Sequence, residues 1–375
     1  MYVSCKERYN ITLPPAQTGL LVVEGFINTS GVTEIKLSRT TLVDARNMEF
    51  EKNAVVRIEA DDNTIFPLTE MDSGKYVSPE LQLDLNKKYR VNIKTTGNKE
   101  YVSSYEAPII TPPIDSITWI RYNDGVEIYV NAVDKQNNTG YYRWEYDETW
   151  EFKSEYKTEI YIDFSRDQQG MINPKIKYWD TVRLSFADSL YTCWQARSSS
   201  AIKIGNTEKL GTARVHSPVI FYPRGAWELS YLYSVLIRQY GLTKEGYEFY
   251  NKIKKNTESL GTIFDAQPSE VKGNIKNSAD EEELVLGYVG VNSVTEKRVF
   301  ISNQDLDDWN YSSECEPEII VMNQREDLIE HFYNDVKMPT LPIYKDGMLV
   351  AVRGASDVCV DCRLKGSNIK PSFWP

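Results

Sequence analysis

Short alternating runs separated by turn residues dominate the first third of the chain. Residues 20–27 form an apolar run closed by Asn28, Thr29, Ser30 and Gly31. Residues 33–38 and 55–60 alternate apolar and polar side chains, and Asp61, Asp62 and Asn63 stop the second run. Similar runs lie at 65–68, 74–77, 88–93 and 101–103. Period-two alternation marks a half-buried strand. About seven such strands across residues 19–110 predict an immunoglobulin-like β-sandwich. Its core is expected to hold Leu37, Val55, Ile58, Tyr76, Tyr89, Val91 and Ile93.

Thr111, Pro112, Pro113, Ile114 and Asp115 mark a boundary, because two prolines fix φ and remove ladder donors. Strand patterns resume at 117–120, 126–130, 141–146 and 158–162. Those near 200–205, 231–239, 284–291 and 297–302 are assigned to the same second body, residues 111–375. The expected fold class is therefore mainly β: an N-terminal sandwich, then a larger β-sandwich-like domain with one or two short helices. A helix is predicted near 243–259. Thr243 can cap it, Glu245 suits its first turn, and Tyr247, Tyr250 and Ile253 form its stripe. A second helix is predicted over 325–336. Residues 261–275 read as a crossover from helix to sheet, and Asp280 to Glu283 as a solvated acidic loop.

Charge and composition narrow the function. The chain has 375 residues, and 54 acids against 43 bases leave a net charge of −11, which gives no footprint for nucleic acid. The two histidines, His216 and His331, read as structural. No G-x-S-x-G elbow, glycine-rich phosphate loop, H-E-x-x-H or EF-hand pattern occurs in the sequence, so no catalytic residue, metal or cofactor is expected. Tyrosines, 25 against 12 phenylalanines, suit both half-buried strands and binding surfaces. Trp144, Trp150, Trp179 and Trp194 are candidate binding aromatics, in one region with Tyr146, Tyr156 and Tyr191. Cross-strand packing is the competing role.

The five cysteines divide by position. Val3-Ser4-Cys5 has the small-residue pattern that precedes a bacterial lipoprotein cysteine, making Cys5 the candidate lipid-bearing residue. A plain cysteine in a frayed tail is the alternative. Residues 1–18, with Pro14-Pro15, read as anchor and tether. Cys193, Cys315, Cys359 and Cys362 are disulfide candidates in an exported chain. Their spacing leaves all three possible pairings open.

Taken together, the sequence resembles the Bacteroidota outer-membrane lipoprotein family known as domain of unknown function 4249. The resemblance is carried by Leu21-Val22-Val23-Glu24-Gly25, Lys36-Leu37-Ser38-Arg39-Thr40 and Pro112-Pro113-Ile114-Asp115-Ser116. Tyr141-Tyr142-Arg143-Trp144, Leu286-Gly287-Tyr288 and the tail from Asp361-Cys362 to Phe373-Trp374 add to it. The resemblance implies a lipid-anchored protein of the bacterial outer membrane, encoded beside a TonB-dependent transporter. Lys6-Glu7 resembles the surface-export signal of such lipoproteins, although Arg8 stands where a second acid is expected. The resulting expectation is a non-enzymatic, cell-surface accessory subunit of that transporter, acting as lid, substrate-capture or assembly factor. A stand-alone glycan- or peptide-binding lipoprotein is the alternative, and a carboxylate-dependent hydrolase comes third.

Overall fold

The computed structural model describes residues 18–41, 48–135, 139–179, 184–208, 214–258, 271–321, 325–333 and 337–375. Cys5, the tether and most of the 261–275 segment lie outside these. The fold is mainly β, with short helices at Leu184–Ser189, Lys244–Glu258 and Arg325–Phe332.

The first sandwich packs two antiparallel-based sheets face to face. One is built on Leu21–Asn28, Ser30–Arg39 and Lys75–Gln82; the other on Val55–Ala60, Tyr89–Lys94 and Glu100–Ser103. Leu37, Ile58, Tyr76, Tyr89, Val91 and Ile93 are buried between them, as the alternation requires. Val55 is the exception. It is 60% exposed, and the inward positions of its strand are Val56, Ile58 and Ala60. The alternation of this strand starts one residue later than its apolar composition suggests.

Residues far along the chain complete this sandwich. Ile275–Asn277 adds a strand to the edge at Glu100–Ser103, and Val291–Asn292 pairs parallel to the end of Leu21–Asn28. Between them, Val23 N–H donates to Leu286 O at 2.8 Å and Leu286 N–H to Leu21 O at 2.9 Å. Ile275, Val285, Val289 and Val291 share the first core. The pattern at 284–291, read from sequence as part of the second body, is thus a strap on the first. Glu283 is not a solvated loop acid: it pairs with Lys99 at 2.8 Å and accepts from the Tyr101 hydroxyl at 2.8 Å. Gly287 lets the strap lie close. Its φ is +142°, and a Cβ there would sit 2.2 Å from Val23 O.

A second sandwich follows. Ile114–Arg121, Gly125–Val133 and Arg214–Pro223 form one sheet. The long strand Tyr141–Lys153 centres the other, between Leu232–Leu242 on one side and Thr192–Ser198 with Lys203–Asn206 on the other. Their shared core includes Ile128, Val130, Trp144, Trp150, Tyr233 and Ile237. The helix Lys244–Glu258 begins as its capping residue dictates, with Gly246 N–H donating to Thr243 Oγ1 at 3.1 Å. A smaller layer lies beyond. Met348–Ser356 is flanked by Lys337–Lys345 and Glu318–Val321, and Ile160, Leu328, Phe332 and Val352 pack in its core.

Pro112 and Pro113 precede the first strand of the second sandwich and are tied to its five-stranded sheet. Pro112 O accepts from Gln239 Nε2 at 2.8 Å and from Thr295 Oγ1 at 3.0 Å. Nearby, the Arg143 guanidinium lies between the rings of Tyr240 and Tyr250, while Phe26 of the first sandwich meets Tyr240 edge-on at 5.0 Å.

Two disulfides staple the C-terminal part. Cys193 bonds to Cys362 with a Cα separation of 5.7 Å, and Cys315 to Cys359 with 5.8 Å. Beyond them the tail crosses the outer face of the second sandwich. Ser367 exchanges two backbone hydrogen bonds with Trp194, and Trp374 Nε1 donates to Glu151 Oε2 at 3.2 Å.

Candidate ligand-binding cleft

The four tryptophans singled out in sequence do not converge on one surface. Trp144 and Trp150 are buried core residues, at 1% and 3% exposure, because even-numbered positions of their strand face inward. Trp144 Nε1 donates to Gln239 Oε1 at 2.8 Å, and Trp150 meets Trp227 edge-on at 5.9 Å. Trp179 is half-buried against Tyr161, with Nε1 donating to Thr158 Oγ1 at 3.3 Å. Trp194 is half-buried and meets Trp374 edge-on at 6.5 Å. His216 stacks on Tyr129 at 4.5 Å, with Nδ1 2.7 Å from Asn131 Oδ1, on the outer face of the three-stranded sheet.

A recess opens instead where the strand Tyr141–Lys153 ends. Phe152, Lys153, Glu155, Trp227, Tyr311 and Ser313 line it, as do Cys315 and Cys362, one cysteine from each disulfide. The chain is held firmly here. Ser154 donates its amide to Tyr191 O at 2.9 Å and its hydroxyl to Leu190 O at 2.7 Å. Trp309, just before Tyr311, is buried and donates Nε1 to Ala226 O at 3.0 Å. The interior is small, about 20 Å³. On that measure roughly 10–15 Å³ admits one water, so one or two water-sized groups fit.

Around the recess the chemistry is cationic and aromatic. Lys153 Nζ stands 4.5 Å from the ring centre of Tyr231 and 5.8 Å from that of Tyr191. Tyr231 and Tyr311 are each more than a third exposed. Burial, then the neighbouring Tyr191 hydroxyl, pushes the Tyr231 hydroxyl above its ordinary range. Burial, then Glu155, does the same for Tyr311. Both phenols are therefore neutral and can donate or accept hydrogen bonds. Ser313 donates to Glu155 Oε2 at 2.7 Å. Among the described residues neither Lys153 nor Lys365, which also lines the recess, has a carboxylate partner.

On the far side of Trp150 lies a buried carboxylate that sequence reasoning missed. Glu148 is 2% exposed and accepts hydrogen bonds at Oε1 from the hydroxyls of Tyr222 and Tyr233. Arg197 Nε donates to its Oε2 at 3.1 Å, and the same guanidinium lies 5.3 Å from the Trp150 ring centre. Burial first, then the Glu148 charge, holds the Tyr222 hydroxyl well above the usual tyrosine range. The signal was present in the inward positions of this strand, where Glu148 is the lone acid among Tyr142, Trp144, Tyr146, Trp150 and Phe152. This group is engaged by protein partners within the second sandwich and does not line the recess.

A family profile described as "Domain of unknown function (DUF4249)" matches residues 6–298. No protein of curated function matches. Among solved structures, the chain is similar at 10% identity to a DUF4785 family protein from Legionella pneumophila, with a TM-score of 0.18. That match covers 52% of this chain and 56% of the other, so this chain spans about half of that relative's length. A second match, also at 10% identity and with a TM-score of 0.16, is a structure of manganese lipoxygenase of Gaeumannomyces graminis with part of zonadhesin of Komagataella pastoris. It covers 61% of this chain and 90% of that one.

Proposed function

The chain belongs to the DUF4249 family, and we propose that it is a non-enzymatic lipoprotein of the bacterial outer membrane that captures substrate for a TonB-dependent transporter. The observation that carries the reading is the recess at Lys153, where tyrosine rings flank a lysine that has no carboxylate partner among the described residues, on a frame held by both disulfides. Rigid aromatic side chains give contact area at low entropic cost. Two disulfides suit an exported protein. Cys5 is the lipid attachment site in this reading, and the tether lets the body reach a barrel mouth.

Purification from native membranes in mild detergent tests the partnership. The expected result is recovery together with a barrel protein, and recovery alone sinks it. Cys5→Ala should move the protein from the membrane to the soluble fraction. The recess also fits a second reading, a surface glycan- or peptide-binding lipoprotein acting alone. Ligand binding without any barrel partner would select it.

A further inference from the structure

We propose that the recess beside Lys153 binds the carboxylate of a uronic-acid-containing oligosaccharide. The proposal rests on the capture role given to this recess and names its ligand. Charge is the first argument. In a chain of net charge −11, Lys153 and Lys365 line one recess without a carboxylate partner among the described residues. Lys157, close by over the Tyr191 ring, is by contrast paired with Asp188 at 2.6 Å. The two lysines outnumber the acid found on the same lining, Glu155, and a partly enclosed recess of positive balance favours an incoming anion through charge-assisted hydrogen bonds.

Size is the second argument. The interior of about 20 Å³ admits a carboxylate and not a sugar ring or an aromatic side chain. The rest of the ligand must therefore lie outside, over Tyr311 and Tyr231. Their exposed rings offer flat apolar faces to the C–H face of a pyranose, and their neutral hydroxyls offer hydrogen bonds. Glu155 decides between sources of carboxylate. It accepts hydrogen bonds from ligand hydroxyls but repels a second anion nearby. A ligand with one carboxylate set among many hydroxyls fits this better than an acidic peptide does.

Isothermal titration of the full chain tests the assignment, with an aldotetraouronic acid (one glucuronate on xylotriose), its methyl ester and tetraglycine as probes. The acid is expected to bind, and the ester, which keeps the shape but loses the charge, to bind at least about tenfold more weakly. Lys153→Ala and Lys365→Ala should each weaken binding of the acid by about tenfold, the scale of a lost hydrogen bond to a charged group. Lys94→Ala, an exposed lysine of the first sandwich, should change nothing. Equal binding of acid and ester, or acid binding untouched by both recess lysines, overturns the carboxylate assignment and leaves the capture role standing. Failure of the aldotetraouronic acid to bind also overturns it. Tighter binding of tetraglycine would give the recess to peptide termini instead. Absence of a barrel partner with these results intact would remove the partnership alone.

Discussion

The Tyr233 hydroxyl donates to Glu148 Oε1 at 2.6 Å in the interior of the second sandwich, where both side chains are almost wholly shielded from water. Removing one partner of a buried, hydrogen-bonded charge strands the others. Arg197→Ala takes the counter-charge from the buried Glu148 carboxylate and should cost about 3 kcal/mol of stability. Glu148→Gln keeps an acceptor for the Tyr222 and Tyr233 hydroxyls and leaves only the Arg197 guanidinium, half of whose side chain is in water, so it should cost less. Urea unfolding of the two variants measures the difference. A larger loss for Glu148→Gln would contradict this description of the cluster.

Tyr222 links the same cluster to pH. Its hydroxyl titrates above its unfolded range, so the native state keeps a proton that the unfolded chain releases near pH 10. The stabilising contribution is therefore complete below about pH 10 and is lost as pH rises beyond it. Wild-type stability should fall on the alkaline side more steeply than that of Tyr222→Phe. Parallel profiles from thermal melts between neutral and strongly alkaline pH would show that Tyr222 contributes nothing to the slope.

Much of the first sandwich was legible because each strand buries one face, and period-two alternation records which. Val55 shows the limit of that reading, since a β-branched residue at a strand start can point outward when its neighbour Val56 points in. The strap was not legible. Parallel pairing such as Val291 to Ile27 needs a distant crossover, and nothing local in the sequence announces its partner. Choosing Trp144 and Trp150 as binding residues followed their nearness in sequence, whereas parity along the strand sends both inward. The recess draws Lys153, Trp227, Tyr311 and Lys365 from four separate segments, so only the folded chain brings them together.

The disulfides should differ in weight. Cys193 and Cys362 are 169 residues apart, and Cys315 and Cys359 are 44 apart. Loop-entropy arguments then assign about 5 and about 4 kcal/mol to the two bonds. The Cys193→Ala/Cys362→Ala pair should melt at a lower temperature than the Cys315→Ala/Cys359→Ala pair. Calorimetry on both, and on the reduced wild type, gives the order directly.

Gly287 should tolerate no side chain. Alanine there combines an unfavourable φ with a clash against the Val23 carbonyl, for an expected loss of at least about 2 kcal/mol. Amide hydrogen exchange should quicken at Val23 and Leu286, whose N–H groups donate to Leu286 O and Leu21 O across the strap. Unchanged exchange at Val23 would show that the strap yields without disturbing the sandwich.

The strap also sets an order on biosynthesis. A chain emerging from its N-terminus makes Leu21–Asn28 early, yet the last strand beside it arrives only with Val291–Asn292. Until then Ile27 and the Glu100–Ser103 edge have open neighbours, and the first sandwich is an unfinished nascent unit. A chaperone that holds unpaired strand edges would serve this protein until residues 275–292 are free to pair. Fragments ending near residue 110 should aggregate where the whole chain does not.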